Sequence, residues 1–575
     1  MRAARPGHRG DRRAGHQPAQ PDLPEELAGG AGPARGAPSG HLRPLRQPLR
    51  GGRADHHGPG AARGPGEGRR PRGDVRVRAR RRLRLGCGRP LEREPPVSPV
   101  EESFDVVVVG ARVAGSSLAA LLARRGVRVA VVDQAGALGG TLSSNILQAD
   151  SLAFLDRLGA TGRLRAAGVT PMRRVDMRLE DFRVLADFPQ RPGDIGGAAC
   201  VRRQVLDPVV LEAAAEAGAA VRLGTKVTDL VRERGRAAGV RVRHEGAERV
   251  LRARLVVGAD GRGSTVAALT GARSYHLTTG ERRYYWTYFE GARTGDEPTF
   301  VFHRWGDRHM LGGPADSGLY IVGVSPQQHE VDSFRADLEG SITAHIQACA
   351  PIAAALADAR RATRIYGIQR FQGYFREAHG PGWLLVGDAG HFKDPAGGRG
   401  IGDAFHQADH LAPRIEAALG RPAAELDRVA ADFGRWRDRH YAEYYGLAAD
   451  LGVAGPIAAV VPETVRKLHA RGRIDSVLNL LSHRASVLEV LTPARVLGAT
   501  GRLLLRGGAA GGRRALLGQV GALAAGEVRR RKAMWRPVYG PPPAPPARRG
   551  PGARQAAGVG TEPRTADRTE GELSR

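Results

Sequence analysis

One stretch, Phe104 to Asp133, constrains the fold of this chain more than any other. It reads FDVVVVGARVAGSSLAALLARRGVRVAVVD. The four-valine run Val106 to Val109 predicts a strand that is buried on both faces. Small and apolar residues from Val113 to Ala123 then repeat at helical spacing, and Val127 to Val132 predict a second buried strand. The stretch therefore predicts a strand–turn–helix–strand unit, in which the helix N-terminus can hold a phosphate.

The turn after the first strand is an imperfect dinucleotide fingerprint. The pattern G-x-G-x-x-G runs from Gly110 through Ala111 to Gly115, but its second glycine is replaced by Arg112. Arginine can itself pair with phosphate. Asp133 ends the second strand, 23 residues beyond Gly110, where an acid can accept hydrogen bonds from a ribose. The pattern favours a bound dinucleotide over a βαβ unit without a nucleotide, and it does not separate NAD from FAD.

The strongly basic composition does not by itself indicate a nucleic-acid partner. The net charge is +29 and the sequence pI is 11.2. Residues 1–100 contain 22 arginines and nine acidic residues, hence +13 of that charge, and the whole chain has only four lysines. Such an arginine bias fits a coding preference for GC-rich codons better than a phosphate-binding surface, so no nucleic-acid partner is expected.

Both ends of the chain are predicted to lie outside the folded part. Residues 1–100 are rich in Arg, Gly and Pro and cannot bury enough apolar surface to fold. We expect this segment to be disordered; the alternative is that it is not translated, with Val97 or Val100 as the natural start. Residues 538–575 are rich in Pro, Arg and Gly and are predicted to be a disordered tail.

Cysteine usage and hydropathy predict a cytoplasmic protein. Cys87, Cys200 and Cys349 are far apart and form no paired framework. No apolar run approaches the length of about 18 residues that a transmembrane helix needs, and no apolar core follows the early arginines as in an export signal.

The middle of the chain predicts a mixed architecture. Helices are expected over residues 150–165 and 333–356, and strands over residues 221–231 and 239–250. Aromatic and β-branched runs such as Tyr284 to Phe289 predict a mostly antiparallel sheet separate from the nucleotide fold. Residues 416–537 are predicted to be helical. The part from Arg502 to Lys532 is basic and weakly amphipathic, which indicates a solvated face or, alternatively, a weak contact with a membrane surface.

Two further glycine-rich turns follow buried strands. The first is LVVGADGRGS, residues 255–264, in which Asp260 and Gly261 form the turn. The second is GWLLVGDAGHFKDPAGGRGIGDA, residues 382–404, in which a buried strand delivers Asp388 to a turn. A helix is expected from about Ile401, so its N-terminus would face the same site.

Taken in this order, the three motifs resemble the flavoprotein monooxygenase superfamily typified by p-hydroxybenzoate hydroxylase, which also contains geranylgeranyl reductases and flavin-dependent halogenases. The resemblance covers about residues 103–415. It implies an α/β fold, with a Rossmann-like FAD-binding domain over residues 101–415 and a C-terminal helical region over residues 416–537. The inserted antiparallel substrate sheet would come from residues 168–200 and 272–375.

The resemblance also implies FAD as cofactor and assigns residues to it. The turn with Gly110, Ala111, Arg112 and Gly115 would bind the pyrophosphate, and Asp133 the adenosine ribose. Arg203 matches an arginine that contacts FAD, Asp260 and Gly261 match a pair associated with FAD and NADPH, and Asp388 matches the aspartate on the ribityl chain. The loop beside the isoalloxazine ring would hold Pro395, Gly398 and Gly400. Arg112 departs from the usual glycine, and Gly402 stands where many hydroxylases have asparagine.

The activity implied is that of an NAD(P)H-dependent monooxygenase, which inserts one oxygen atom from O2 into an aromatic or polyketide-like small molecule through a flavin hydroperoxide. An FAD-dependent reductase of an isoprenoid or other unsaturated lipid is the alternative. A halogenase should carry a Trp-x-Trp-x-Ile-Pro signature, which is absent. Since the cofactor carries the hard chemistry, no side-chain nucleophile is required. His391 is a weak candidate for a general base, and a structural role for it is favoured.

Overall fold

The computed structural model describes residues 100–140, 143, 145–368, 371–507 and 511–541. The predictions for residues 1–99 and 542–575 therefore lie outside the described residues. Within those ranges the strands are β1 (Val100–Val109), β2 (Val129–Val132), β3 (Ile146–Gln148), β4 (Arg174–Leu179), β5 (Phe182–Asp187), β6 (Ala198–Cys200), β7 (Ala220–Arg222), β8 (Thr225–Glu233), β9 (Arg236–His244), β10 (Ala247–Gly258), β11 (Ser274–Thr279), β12 (Tyr284–Glu290), β13 (Thr299–Trp305), β14 (Arg308–Pro314), β15 (Leu319–Ser325), β16 (Arg360–Arg361), β17 (Tyr366–Ile368), β18 (Gln372–Arg376), β19 (His379–Gly380), β20 (Trp383–Leu385) and β21 (His391–Phe392).

The helices of the same ranges fall into short connecting helices and a long C-terminal group. They are α1 (Val113–Ala123), α2 (Ala149–Arg157), α3 (Thr161–Ala166), α4 (Arg203–Glu216), α5 (Thr265–Thr270), α6 (Val331–Ala336), α7 (Leu338–Gln347), α8 (Ala350–Ala355), α9 (Gly400–Leu419), α10 (Ala423–Gly452), α11 (Val460–His469), α12 (Ile474–Leu481), α13 (Val487–Val490), α14 (Pro493–Leu505) and α15 (Gly512–Trp535).

The first sheet has the predicted nucleotide-binding unit at its centre. Its strands run in the order β19-β20-β10-β1-β2-β7, and the hairpin of β8 and β9 extends from β10. Strands β20, β10, β1, β2 and β7 are parallel. The side chains of Val106 to Val108 are fully buried, as expected for a parallel strand covered on both faces. Because these strands are parallel, their carboxyl ends meet at one edge of the sheet.

The second large sheet is mostly antiparallel, in the order β16-β12-β15-β14-β13-β4-β5 with β17 also on β12. Only the β4–β13 pair in it is parallel. One face packs on α6, α7 and α8 through a core that includes Tyr285, Phe334 and Ile352. The predicted α/β fold with an antiparallel sheet and a C-terminal helical region is confirmed.

Several local expectations were wrong in their extent. The helix expected over residues 150–165 is two helices, because Gly159 adopts a φ of +72° after α2. The strand expected over residues 239–250 is interrupted by a turn at Glu245 and Gly246, both with positive φ. The helix expected over residues 333–356 is divided among α6, α7 and α8. In each case a local turn ends the element although the apolar pattern continues.

The long helix α10 is locked to the sheets by buried arginines. Arg437 is fully buried, and it donates to the carbonyl oxygens of Gly390 at 2.9 Å and Arg376 at 2.7 Å and to the hydroxyl of Tyr275 at 2.8 Å. At the C-terminal end of the helix, Arg282 donates to the carbonyls of Leu451, Val453 and Gly455. These bonds satisfy carbonyl groups that a helix end or a strand end would leave without partners.

The substitution Arg437→Met should destabilise the fold strongly. It would remove a side-chain donor from the Arg376 carbonyl and the Tyr275 hydroxyl, and one of the two donors to the Gly390 carbonyl, which we expect to cost about 3 kcal/mol of unfolding free energy. Urea denaturation followed by tryptophan fluorescence measures this. Arg439→Met, at an exposed site two residues away, is the control and should change stability by about 0.5 kcal/mol or less; equal losses in the two variants would contradict the role of Arg437.

Candidate functional site

A cavity of about 480 Å³ opens at the carboxyl edge of the first sheet. Eleven of the thirteen residues predicted for the site line it. They are Gly110, Arg112, Asp133, Arg203, Asp260, Gly261, Asp388, His391, Pro395, Gly398 and Gly400. The other two, Ala111 and Gly115, belong to the turn that forms one end of the cavity. The structure therefore brings together three motifs that are far apart in the sequence.

The first turn depends on close backbone packing. Gly110 has a φ of +107°, and a Cβ there would overlap the carbonyl group of Ala259. A Cβ on Gly115 would overlap the carbonyl oxygen of Gly110. Arg112, in place of the second glycine, takes an extended conformation at the N-cap of α1, and its side chain is exposed at the cavity. An arginine is thus accommodated without disturbing the turn, and its charge lies at a helix N-terminus.

Asp133 organises the same turn. Its Oδ2 accepts a hydrogen bond from the backbone N–H of Ala111 at 2.8 Å, and its Oδ1 accepts one from Ala135 at 2.9 Å. The carboxylate therefore holds the end of β2 against the turn after β1. Each carboxylate oxygen has a second lone pair, so the side chain can still accept hydrogen bonds from a ligand in the cavity.

Asp260 lines the cavity, and its carboxylate also holds the turn before α5. Its Oδ1 accepts from the hydroxyl of Ser264 at 2.5 Å, and its Oδ2 accepts from the backbone N–H of Thr265 at 2.6 Å. The carboxylate is thus occupied in starting α5. The neighbouring Gly261, with a φ of +76° and open space where a side chain would stand, lets a ligand approach the backbone.

Arg203 is held by its own helix. Its Nε donates to Asp207 Oδ1 at 2.7 Å within α4, and Asp207 is fully buried. Burial raises the pKa of Asp207, and Arg203 opposes that effect. The guanidinium is therefore fixed at the cavity wall, where its remaining N–H groups can meet a ligand.

Asp388 has a carboxylate that faces the cavity without a protein partner. Among the described residues no hydrogen bond or ion pair uses its side chain, while its backbone carbonyl accepts from Tyr374 at 2.6 Å. Burial raises the pKa of this carboxyl, and Arg262 and Arg203 oppose that shift. A half-buried acceptor that faces the cavity and that the described residues leave unused is suited to the hydroxyl groups of a ligand.

The loop after Asp388 closes the far end of the cavity. Asp394 Oδ1 accepts from the N–H of Ala396 at 2.8 Å, and Gly398 has a φ of +61°. Helix α9 then begins at Gly400, so its N-terminus faces the cavity, as predicted. Burial raises the pKa of Asp394 to about 7. The same loop is anchored from behind by Arg399, which binds Asp150 through two hydrogen bonds of 2.7 Å.

A buried cluster behind this loop was missed by the sequence analysis. The Lys393 ammonium lies 2.5 Å from Asp403 Oδ2, and both residues line the cavity with their nitrogen and oxygen atoms turned away from solvent. The Nε2 of His391 lies 3.6 Å from the same oxygen, and His483 Nδ1 lies 3.4 Å from Asp403 Oδ1. The only signal in the sequence was a rare lysine inside the third motif.

Burial keeps the two histidines of this cluster neutral. It lowers the pKa of His391 and of His483 well below the usual range, and the Lys393 charge adds to both shifts. His391 also stacks on Tyr441 at 4.8 Å between ring centroids. His391 therefore lines the cavity as predicted, but its contacts are with the protein, which supports a structural role.

A second, apolar pocket of about 70 Å³ lies on the other side of the Pro395–Gly398 loop. Ile368, Pro395 and Gly398 line both this pocket and the cavity. Most of the other walls come from the second sheet and are aromatic or aliphatic, including Tyr284, Trp286, Phe300, Phe302, Leu311 and Ile321. Its one titratable imidazole, His309, is neutral because burial lowers its pKa to about 3. The pocket therefore offers no charge to a ligand.

A third group resembles a catalytic triad and is not one. Cys349 Sγ lies 3.5 Å from His303 Nδ1, and His303 Nε2 lies 2.9 Å from Asp176 Oδ1. All three side chains are buried and line neither of the two pockets described above. Burial raises the pKa of the Cys349 thiol to about 11, so the thiolate that would act as nucleophile is not formed at neutral pH.

The residues of the large cavity fit FAD. A glycine turn and a helix N-terminus with Arg112 lie at one end and suit a pyrophosphate. Asp133 and Asp388 offer acceptors for hydroxyl groups of a ribose and a ribityl chain. At the other end, the N-terminus of α9 and the glycines of the Pro395–Gly400 loop line the cavity and let a ligand approach the backbone. No group of three or more His, Cys, Asp or Glu residues able to hold a metal occurs in the part of the chain that the structure describes.

Comparison with known families decides the cofactor class. A family model described as "FAD binding domain" matches residues 103–429. The chain belongs to this FAD-binding family. It is an FAD-dependent oxidoreductase of the superfamily that the three motifs resemble. The match continues into α10 beyond residue 415, where the resemblance of the motifs ends.

Curated relatives and solved structures come from several branches of this superfamily. The chain is 30% identical over 345 residues to a 6-methylpretetramide 4-monooxygenase of Streptomyces rimosus, covering 57% of this chain and 79% of that protein. It is 28% identical over 382 residues to a menaquinone reductase of Mycolicibacterium smegmatis, covering 62% and 87%. The fold is similar to a flavin-dependent brominase (TM-score 0.56, 17% identity, 70% and 99% coverage) and to a myxobacterial chondrochloren halogenase (TM-score 0.54, 24% identity, 70% and 97% coverage).

The pair of Lys393 and Asp403 should be energetically coupled. Lys393→Met would leave a buried carboxylate without its cation, which we expect to cost about 3–5 kcal/mol of unfolding free energy. The double variant Lys393→Met/Asp403→Asn should recover most of that loss, because neither charge remains. Urea denaturation of the apoprotein gives the four values of the double-mutant cycle.

The matched control is Lys467→Met, at an exposed lysine of α11. It should leave stability within about 0.5 kcal/mol of the parent. Additive losses for Lys393 and Asp403 would contradict the coupling.

Proposed function

We propose that this protein is an NAD(P)H-dependent monooxygenase that hydroxylates an uncharged, flat, apolar small molecule of aromatic or polyketide type. The observation that carries the proposal is the wall shared by the large cavity and the apolar pocket, formed by Ile368, Pro395 and Gly398. A substrate in the aromatic pocket would lie next to the end of the cavity that suits an isoalloxazine ring. The Streptomyces rimosus relative, by its name a monooxygenase of a pretetramide, supports this choice.

The reaction consumes one O2, one NAD(P)H and one proton for each substrate. One oxygen atom enters a C–H bond of the substrate as a hydroxyl group, and the other leaves as water. Bound FAD would supply the redox chemistry, accepting hydride from NAD(P)H and activating O2. The residues that would hold it are the Gly110–Gly115 turn with Arg112, then Asp133, Arg203, Asp388 and the Pro395–Gly400 loop.

The chain's own residues would position the reactants and exclude water. The uncharged walls from Tyr284 to Ile321 keep the pocket dry, which protects a reactive oxygen species from water. The ion pair of Arg399 with Asp150, and that of Lys393 with Asp403, hold the loop between cofactor and substrate from behind. His391 would support this loop and would not transfer a proton to the substrate.

A reductase of a lipid-soluble substrate is the second candidate. The same uncharged pocket would accept an isoprenoid chain or a quinone, and no nucleophile is needed for either reaction. The menaquinone reductase of Mycolicibacterium smegmatis and a digeranylgeranylglycerophospholipid reductase of Methanosarcina mazei, 25% identical over 351 residues, support this candidate by their names. Hydride and a proton would then be added across a double bond, without consumption of O2.

The substitution Asp388→Ala should weaken FAD binding about 10- to 100-fold. A carboxylate that accepts hydrogen bonds from hydroxyl groups contributes about 1.5–3 kcal/mol, and this one has no hydrogen-bond partner among the described residues. Titration of the apoprotein with FAD, followed by quenching of flavin fluorescence, measures the dissociation constant. Asp409→Ala, at an exposed acid on α9, is the control; equal affinities in the two variants would contradict the role of Asp388.

The oxygenase and the reductase are separated by O2 consumption. With FAD bound, we expect NADPH or NADH oxidation under air to accelerate at least tenfold on addition of a polycyclic aromatic polyketide, with one O2 consumed and one oxygen atom from ¹⁸O2 recovered in the product. Mass spectrometry and an oxygen electrode measure both quantities. Reduction of a prenylated quinone under nitrogen, with no ¹⁸O incorporation in any product under air, would overturn the oxygenase in favour of the reductase.

A further inference from the structure

The C-terminal helices carry an unusual share of the exposed apolar side chains. Among the described residues, ten large hydrophobic side chains are exposed, and seven of them lie between residues 488 and 539. The most exposed are Leu505 at 89%, Val538 at 84%, Leu497 at 67%, Val528 at 65% and Leu517 at 54%. This concentration of exposed apolar side chains in one segment makes its helices the candidate for a contact surface.

Helix α15 has a distinct inner and outer face. The inner face follows a helical period and docks on the protein. Leu516 is fully buried in a small core with Val460 and Ala499, Gln519 accepts from the N–H of Ala459 at 3.1 Å, and Arg530 binds Asp450 at 2.8 Å. The position of the helix is therefore fixed, so its other side points away from the protein.

The outer face is apolar in the middle and cationic at both ends. From Ala515 to Gly526 the sequence ALLGQVGALAAG contains no charge. The exposed residues of the central part are Leu517, Gly518, Gly521, Ala522, Ala524, Ala525 and Val528, and the exposed cations that flank them are Arg513, Arg514, Arg529, Arg531 and Lys532.

Helix α14 also exposes apolar residues. Its Ala499 and Thr500 are buried against α11, and Arg502 turns to Glu463 at 2.7 Å. Ala494, Leu497, Gly498 and Leu505 are exposed. Residues 488–541 hold ten basic and only two acidic residues. We call the exposed residues of α14 and α15 the C-terminal face.

We propose that the C-terminal face docks on an anionic lipid surface, with its apolar residues in the interfacial layer and its arginines on the lipid phosphates. A membrane-surface contact combines exposed apolar side chains with flanking cations, and the outer side of α15 exposes Leu517 and Val528, with glycines and alanines between them, next to arginines at both ends. No helix among the described residues is long and apolar enough to cross a bilayer, so the contact is peripheral. This proposal does not depend on which reaction the flavin site performs.

Charge argues against a second copy of the chain as the occupant. Both ends of α15 are cationic, with Arg513 and Arg514 at the start and Arg529 and Lys532 near the end. In an antiparallel pair of these helices, the cationic N-terminal end of one copy would face the cationic C-terminal end of the other copy. In a parallel pair, each cationic end would face the same end of the other copy. Either arrangement places like charges together, whereas an anionic bilayer satisfies both ends at once.

The test is co-sedimentation of the full-length protein with lipid vesicles. We expect it to bind vesicles of equal phosphatidylcholine and phosphatidylglycerol, and to bind pure phosphatidylcholine vesicles at least 20-fold more weakly. Each cation near an anionic surface strengthens binding about fivefold. Arg513→Gln/Arg514→Gln should therefore weaken binding to the anionic vesicles about 25-fold. High salt should also weaken this binding, because it screens the charges. Leu517→Gln/Val528→Gln should weaken binding to these vesicles as well.

The matched control is Arg165→Gln/Arg241→Gln, which removes the same charge from exposed sites on α3 and β9. It should leave vesicle binding within twofold of the parent, although the net charge falls equally. Equal losses in the two arginine pairs would overturn the proposal in favour of non-specific attraction by a very basic chain. It would also be overturned by equal binding to neutral vesicles, by absence of vesicle binding, or by a concentration-dependent dimer that Leu517→Gln/Val528→Gln dissociates.

Discussion

The contact between the Gly110 carbonyl and Gly115 is the constraint on which the site depends. No side chain fits between them, so the chain must turn sharply from β1 into α1. The same Gly110 lies against the carbonyl of Ala259 at the end of β10. Two of the three motifs therefore touch through backbone alone, and the third follows because β20 pairs with β10 in parallel register. The position of the cavity is a consequence of strand order, and its lining is a consequence of which turns end those strands.

This dependence explains why so much of the site could be predicted from the sequence. In the sequence, strands that are buried on both faces appear as apolar runs, and the turns that end them appear as glycines and single acidic residues. Eleven of the predicted residues line one cavity because each follows such a strand or begins a helix next to it. Asp260 shows what a sequence pattern cannot reveal. Its position was recognised, but the pattern does not reveal that its carboxylate is already used to start α5.

The cluster around Asp403 could not have been found in the same way. His483 lies in the connection between α12 and α13, far along the chain from Asp403. It contacts Asp403 only because α10 and the following helices pack behind the Pro395–Gly400 loop. His483 also has a φ of +55°, a costly backbone conformation for a residue other than glycine. Nothing in the local sequence predicts such a contact, since it depends on tertiary packing alone. The C-terminal region thus supports the loop that separates the two pockets, in addition to carrying an exposed surface.

The fold does not determine the reaction, which depends on the residues around the flavin. Oxygenases, reductases and halogenases share it because the cofactor does the electron transfer, and no side chain has to act as a nucleophile. What this chain adds is a pocket without charge and a loop fixed by two ion pairs, of which the Lys393–Asp403 pair is buried. An uncharged pocket selects for substrates of low solubility in water, and such molecules concentrate in membranes. A C-terminal face that holds the protein at a lipid surface would therefore serve either reaction, because it brings the pocket to the phase in which its substrate is dissolved.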